Sequence, residues 1–527
     1  MSAALARAFR VISSLTLLSR VLGLARDVVT ARLFGDTAVG SAFAAAFAVP
    51  NTFRRLFGEG ALAAAFVPEY ASLVEQDPRA GDRFATFTAA LLGLVTAGLA
   101  VLGELGLWLA LSMAEPESAK HFSILLVMIA LPFMPLICIA ATLAGVLQTH
   151  GRFGPPAAQP IVLNLCVLGA AGLHAIREDA SVESAAMLLC ASVVLSGVLQ
   201  VVWSLWALRP HVRWTRVLAG VGQSARNLLR RWAGAIIGLG TLQASALLDV
   251  VLAMWPIWFG ATMLGFAYPL DEQSNAVLFY AQRLYQFPLG VFGIAVATAA
   301  FPLLSRLAAD RERFHGALVD ALSLSIAIAI PASVGLMLVS GDLTRTLFSG
   351  GSGFSEAGSE RAAFALVGYA SCVWAYACNQ LLTRAFYAMG DTRTPAFISL
   401  FALAANLVLN LSLIWLLREA GLAWATAIVA GLQTVVLLAV LASKHRVRVA
   451  REAWRRGWKA IPSTAAMAIA VGAVLLAWQG SGGWAMHAMR LLVCVVVGAL
   501  VYASAAWVIG YRELARVLQR KESGLGD

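Results

Sequence analysis

Four arginines, Arg20, Arg26, Arg54 and Arg283, lie inside runs that otherwise read as membrane-spanning helices. An arginine at the bilayer centre costs roughly 2.5–3.5 kcal/mol on insertion scales, so it faces a water-filled cavity or a partner and not lipid. A guanidinium stays charged in a dry site and offers a planar fork of donors that matches phosphate oxygens. The chemistry this set suits is the holding of an anion by permanent positive charge. None of the four is lysine, which fits phosphate binding and equally a general need for fixed charge.

Residues near these arginines could move or loosen them. Gly23 and Gly35 would let the first helix bend, with close helix packing at Gly23 as the competing reading. Pro50 with Asn51 would loosen the second helix and expose backbone groups. Arg55 and Glu59 stand at i,i+4 spacing, the geometry of an ion pair on one helix face, static or breaking as the protein moves. A second constellation lies in the later half: Asp249 is an isolated acid in an apolar run, Asn406 and Asn410 are one turn apart, and Thr426 follows on the next run. Their oxygens could hold a hard cation such as Na⁺, whereas hydrogen bonding between helices accounts for the two asparagines alone.

The elements that must position these residues are membrane helices. With 60% hydrophobic and 13% charged residues over 527 positions, the chain reads as an all-α polytopic membrane protein. Apolar runs predict about fourteen spans, near 10–34, 38–73, 83–112, 121–149, 156–174, 183–208, 232–256, 274–306, 314–341, 361–388, 395–417, 421–443, 458–479 and 484–511. Arg20 and Arg26 interrupt the first apolar run, so it is read as an uncleaved span and not a signal peptide. The six cysteines all fall within predicted spans without C-x-x-C spacing, and they read as packing residues.

Charge sets the expected orientation. The segments 209–231, with six Arg and no acid, and 444–459, with seven Lys or Arg against Glu452, each follow an even-numbered span. Loops after odd-numbered spans carry acids, Glu115 and Glu117 in one and Asp271 and Glu272 in another. Lys and Arg gather on the cytoplasmic side, so both termini are expected there. The net charge of +11 then records topology and affinity for anionic lipid headgroups, and no nucleic-acid partner is expected.

An internal repeat supplies the architecture. ALAAAFVPEYASL (61–73) resembles AVATAAFPLLSRL (295–307), with Pro68 over Pro302 at a shift of 234. AGVLQTHGRFGPPAAQPIVLNL parallels LTRAFYAMGDTRTPAFISLFALAANL, with Gly151 over Gly390 at a shift of 239. Two parallel six-helix lobes follow, 1–208 and 232–443, joined by the basic linker 209–231. The basic loop 444–459 leads to two extra helices and a cytoplasmic tail, 460–527. Parallel repeats with substrate bound between them are a known transporter plan.

The runs SRVLGLARD (19–27), PNTFRRLFGEGALAAAFVP (50–68), YAQRLYQFPLGVFGIAVATAAFP (280–302) and FYAMGDTRTP (386–395) resemble the MurJ (MviN) family of lipid II flippases. That family lies within the multidrug/oligosaccharidyl-lipid/polysaccharide exporter superfamily. The resemblance implies fourteen helices around a cationic cavity in a bacterial cytoplasmic membrane. It implies a flippase working by alternating access, with the undecaprenyl-pyrophosphate disaccharide pentapeptide, lipid II, as substrate. It carries substrate binding onto Arg20, Arg26, Arg54 and Arg283 and places Glu59 at a position important to the family; from the residues themselves Asn51 joins the substrate-binding candidates, and Arg55, with Glu59, and Gly23 are the gating candidates. Asp249, Asn406, Asn410 and Thr426 match a sodium site of some members, but there the position of Asn410 is acidic. Ser41, Gln282 and Gln286 stand where acids are common, so the cavity is expected to be unusually electropositive. A monomer is expected, with cell-wall synthesis or division proteins as partners.

Two other classes remain. A drug/cation antiporter of the same superfamily would want acids in the cavity. A transferase acting on a polyprenyl phosphate would want paired acids or a His base at a membrane face; here His121, His150, His174 and His487 are scattered. Export of another polyprenyl-pyrophosphate saccharide is not separable from lipid II by residue chemistry. With no cofactor and no nucleotide-binding loop expected, transport would draw on Na⁺, H⁺ or the membrane potential. The stretch 254–273 is longer than a short connection and reads as an interfacial hairpin on the outer face, or as an insertion without mechanism.

Overall fold

A computed structural model describes the backbone of residues 3–58, 61–177, 181–217, 219–349, 353–478 and 483–511. Side chains are described over the same ranges except at 3–13, 57, 58, 61–64, 231, 233–239, 242, 291, 292 and 294. The chain divides into two compact units, Met1–Ala276 and Val277–Asp527.

The first unit holds α1 (Ala3–Phe34), α2 (Ala38–Phe53), α3 (Ala61–Gln76), α4 (Pro78–Ser112), α5 (Ala119–Ala130) and α6 (Phe133–Thr149). It continues through α7 (Gly154–Ala175), α8 (Val182–Leu208), α9 (Gly222–Ala253) and α10 (Trp255–Trp258) to a hairpin of β1 (Thr262–Met263) and β2 (Phe266–Ala267). Next come α11 (Ser274–Pro288), α12 (Ile294–Leu307), α13 (Arg311–Leu338), α14 (Ser340–Phe348), α15 (Glu356–Ala370) and α16 (Val373–Ala388). The chain closes with α17 (Arg393–Leu417), α18 (Ala420–Lys444), α19 (Ala450–Gly457), α20 (Ala460–Ala477) and α21 (Trp484–Val508).

The sequence marks the helix ends. Gly35, at φ +60°, ends α1 in a conformation that costs glycine little, and the Thr37 hydroxyl accepts from the Gly40 N–H at 3.1 Å to start α2. Asp77 caps α4 with Pro78 in its first turn, and Ser118, Ser181, Asp310 and Ser355 cap α5, α8, α13 and α15. α2 is buried on all sides from Gly40 to Phe47, as a helix without a polar stripe must be.

Among the described residues, nine helices are long and apolar enough to cross a membrane, or ten if α15 and α16, bent by 42°, form one span. This is a multi-pass helical membrane protein. The predicted spans outside that set are α1, α2 with α3, α9, and α11 with α12. They carry Arg20, Arg26, Arg54, Asp249 and Arg283. α1 holds Arg20, Arg26 and Asp27 in its central stretch, and the other two pairs are each interrupted by a wide turn.

Those turns repeat. Arg54–Gly58 joins α2 towards α3, and Leu289–Gly293 joins α11 to α12, each with the i→i+5 hydrogen bonding of a π-turn. Their positions agree within a residue with the 234-residue shift read from the sequence. The α5–α6 break at Leu131–Pro132 likewise matches the α15–α16 break at Ser371–Cys372. Gly151 and Gly390, paired by the second sequence match, both adopt positive φ, +71° and +78°. Arg152 N–H then reaches the Leu147 carbonyl and Asp391 N–H the Phe386 carbonyl, the same glycine-terminated helix end in each unit.

The repeat assigns the span after the basic linker to the second lobe. By its contacts α9 packs on α2, α3 and the Arg54–Gly58 turn, within the first unit. In the second unit α20 and α21 pack on each other and on α13 and α14. There the Asp342 carboxylate accepts from Arg490 Nε at 2.7 Å and lies 2.8 Å from His487 Nδ1.

Candidate functional site

Arg26 is the best-defined cation of the first unit. Its Nε and Nη2 donate to Asp27 Oδ1 at 3.1 and 2.7 Å, and its Nη1 donates to Asn164 Oδ1 at 3.0 Å. Its Cζ sits 4.8 Å from the centroid of the Phe47 ring, a cation–π distance. The Asn164 amide is fixed, because its Nδ2 donates to the Ser19 carbonyl at 3.1 Å. α1, α2 and α7 thus converge on one guanidinium. Three of the five N–H groups of an arginine are occupied, which leaves two for a ligand.

Arg26 has an acid as its immediate neighbour. Asp27 follows Arg26 directly, its side chain is 8% exposed against 12% for Arg26, and the two neutralise each other locally. A phosphate arriving here would meet an arginine already engaged and would compete with Asp27 for it. Sequence reasoning passed over Asp27 and Asn164. The first was legible as an acid in the same apolar run; the second is joined to Arg26 only by folding.

Arg20 is half-buried on α1, six residues before Arg26. α1 runs unbroken through Gly23; a Cβ there would meet Asn164 Nδ2 at 3.6 Å, an ordinary contact. Gly23 marks the close approach of α7. Arg54, half-buried, opens the wide turn after α2, and Arg55 beside it is exposed. Glu59, with which Arg55 was expected to pair, lies outside the described residues.

Pro50 is accommodated inside α2, and the break comes four residues later. Asn51 Nδ2 donates to the Phe47 carbonyl at 2.8 Å and the Thr52 hydroxyl to the Ala48 carbonyl at 2.9 Å. Asn51 therefore spends one of its two amide N–H groups on its own helix. Ser41 is fully buried; its hydroxyl accepts from the Ala276 N–H at 3.0 Å, and its carbonyl accepts from Asn275 Nδ2 at 2.8 Å.

In the second unit Arg283 stands on α11 with its Cζ 4.4 Å from the Phe279 ring centroid and Nη1 3.4 Å from Gln286 Oε1. Gln282 donates to the Tyr369 hydroxyl at 2.9 Å, and Tyr285 stacks between Tyr369 and Tyr376 at 4.9 and 5.5 Å. Gln282 thus holds an aromatic neighbour, Gln286 faces Arg283, and no carboxylate flanks Arg283 on its own helix turn.

The residues of the cation constellation belong to both units. Asn410 Nδ2 donates to Asn406 Oδ1 at 3.1 Å, and Asn406 Nδ2 lies 3.4 Å from the Thr426 hydroxyl, so these three adjoin within the second unit. Asp249, 8% exposed on α9, belongs to the first. Among the described residues no group of three or more His, Cys, Asp or Glu could hold a metal ion. All six cysteines are unpaired.

The sequence profile of the family described as Lipid II flippase MurJ matches residues 30–497. A probable lipid II flippase MurJ of Vibrio cholerae serotype O1 is 30% identical, with 95% of each chain covered. The lipid II flippase MurJ of Burkholderia cenocepacia is 27% identical over 96% of this chain and 98% of its own. A solved structure of lipid II flippase MurJ in an inward closed conformation superposes with a TM-score of 0.77 at 22% identity, covering 96% of this chain and 99% of that one. An inward-facing multidrug resistance MATE family transporter of the MOP superfamily gives 0.65 at 14% identity, over 84% and 98%. These two likenesses establish the fold. With the profile spanning most of the sequence, this chain belongs to the lipid II flippase MurJ family.

Proposed function

We propose that this chain is a flippase that carries lipid II from the inner to the outer leaflet of a bacterial cytoplasmic membrane by alternating access. The observation that carries the reading is the family match over residues 30–497, on a chain with four arginines inside its apolar runs. Arg20, Arg26, Arg54 and Arg283 bind the pyrophosphate, Arg26 by exchanging its bond to Asp27 for bonds to phosphate oxygen. That exchange favours a guanidinium, whose fork serves either acceptor. Both termini lie in the cytoplasm, in keeping with the basic segments 209–231 and 444–459, and the protein acts as a monomer.

The membrane potential drives turnover, with Asp249 in a supporting role through its protonation. An ion can favour one orientation only through differential affinity for the two states, and a site with Asn410 in place of an acid holds Na⁺ weakly. The decisive test is complementation: a bacterium depleted of its own flippase and expressing this chain regains lipid II on the outer leaflet. Growth without lipid II exposure, or export of another polyprenyl-linked saccharide alone, would overturn the substrate assignment.

A further inference from the structure

The hairpin after α10 is closed by Leu264 and Gly265, with Thr262 paired to Ala267 and Met263 to Phe266. Both turn residues have positive φ, +53° and +86°. A two-residue turn of this hand calls for Asn, Asp or Gly in its first position, because other side chains are strained there. Leucine brings the strain and no polar atom to offset it. It also brings no packing: Leu264 is 93% exposed, and Phe266 and Phe259 nearby are 69% and 61% exposed. A strained apolar residue that gains nothing from its own fold points to a contact outside the chain.

The tip stands on a fixed base. Tyr268 N–H donates to the Ala261 carbonyl at 2.8 Å, Trp255 Nε1 to the Thr262 carbonyl at 3.0 Å, and the Tyr268 hydroxyl to the Leu252 carbonyl at 2.9 Å. Trp258 Nε1 donates to Ser123 Oγ at 2.9 Å. Ser123 lies just over a turn into α5, about 6 Å along the helix at 1.5 Å per residue. α10 therefore sits beside the opening turns of a spanning segment, the depth at which Trp and Tyr gather in membrane proteins.

Residues 254–270 contain no Asp, Glu, Lys or Arg. Asp271 precedes α11, accepting from the Ser274 hydroxyl at 3.0 Å and the Gln273 N–H at 3.1 Å. A protein-binding surface carries a polar rim around its apolar centre; this stretch has no charge with which to build one.

We propose that the 261–267 hairpin is a membrane-inserting tip: Leu264, Phe266 and Phe259 enter the boundary between headgroups and acyl chains, and the partner this surface fits is the lipid bilayer itself. The inference is independent of what the protein transports. It fixes the depth of the α9–α11 junction, and under the topology proposed above the leaflet is the outer one.

The test uses the full chain in phosphatidylethanolamine/phosphatidylglycerol vesicles. An environment-sensitive fluorophore is attached at Leu264→Cys, with Cys166→Ala and Cys372→Ala removing the two partly exposed native thiols; Glu272→Cys is the control. The Leu264 label should emit to the blue of the Glu272 label and be quenched by brominated lipid more than by aqueous iodide, with the order reversed at Glu272. Equal aqueous quenching at both sites would overturn the proposal. So would a Leu264 label that is aqueous in pure lipid vesicles but shielded in native membranes, which would assign the tip to a protein partner. Leu264→Asn, which suits the turn, guards against a folding artefact: it should keep the thermal stability of the detergent-solubilised protein and lower lipid quenching of a label at Phe266→Cys. Unchanged quenching there would also count against insertion.

Discussion

Asn164 accepts from Arg26 at 3.0 Å and donates to the Ser19 carbonyl at 3.1 Å, so one carboxamide ties two points of α1 to α7. Its 3% exposure makes either lost bond costly. Asn164→Leu should lower stability by about 1–3 kcal/mol, since it strands a buried donor and a buried acceptor. It should also reduce flipping, because Arg26 loses its orienting partner. Thermal unfolding in detergent and lipid II exposure in cells measure the two effects. A stable, fully active variant would remove Asn164 from the site.

Arg26→Ala leaves Asp27 as a buried carboxylate without its guanidinium, a loss on the order of 3 kcal/mol. Arg26→Ala with Asp27→Ala should recover most of that stability and none of the flipping. If the double variant regains activity along with stability, Arg26 is structural and the anion-site assignment fails.

Arg20→Ala, Arg54→Ala and Arg283→Ala should each cut flipping strongly with little change in unfolding temperature. Lysine should rescue in part at best, because it lacks the planar fork. At Arg283 the Phe279 ring adds a control: Phe279→Leu removes a cation–π contact worth about 0.5–2 kcal/mol and should weaken activity less than loss of the charge. Normal flipping by all three alanine variants would contradict the cationic binding site.

Collapsing the membrane potential in reconstituted vesicles should stop flipping more effectively than removing sodium, and Asp249→Asn should impair turnover less than loss of Arg26. Asn410→Asp places a carboxylate where a fully buried amide now donates to Asn406. Its unfolding temperature should therefore become sodium-dependent, rising when Na⁺ is added. Strict sodium dependence of the unaltered chain at zero potential would refute this account.

At the α16–α17 junction burial alone would raise the Asp391 carboxyl, but hydrogen bonds from Lys444, His445 and Thr394 outweigh it and hold the group well below the usual carboxylate range. A folded-state value depressed in this way adds stability that is fully present above the unfolded carboxylate value, about 3.9, and drains away as pH falls below it. Stability from this site should hold from pH 7 to about 5 and decline under pH 4. Asp391→Asn should be less stable at pH 7 and show a weaker acid-side decline. Parallel pH profiles for the two proteins would show that the cluster contributes nothing.

What the sequence disclosed was local or periodic. The near-equal shifts of 234 and 239 residues anticipated paired features that the fold makes concrete, Gly151 with Gly390 above all, since a positive φ at a helix end leaves a glycine behind. The arginines stood out because charge in an apolar run is costly wherever the chain goes. Asn164 did not, because a carboxamide in a membrane helix is unremarkable until its neighbour 138 residues away is known. Pro50 misled in part: it marked a weak helix, yet the break falls at Arg54–Gly58, where nothing in residue type announces a wide turn. α9 was grouped by sequence shift, whereas packing follows which apolar faces meet.

The tie between α1 and α7 also has a tempo. α1 leaves the ribosome before α7, and its partner carboxamide is 138 residues behind. At a synthesis rate of about 5–20 residues per second, Asn164 appears roughly 7–28 s after Arg26. Through that interval the nascent α1 carries Arg20, Arg26 and Asp27 with no α7 to pack against, so water or the translocation machinery must hold it until the sixth helix after it is made. Slowing or pausing translation between codons 27 and 164 therefore prolongs the period in which newborn chains are exposed to quality-control proteases.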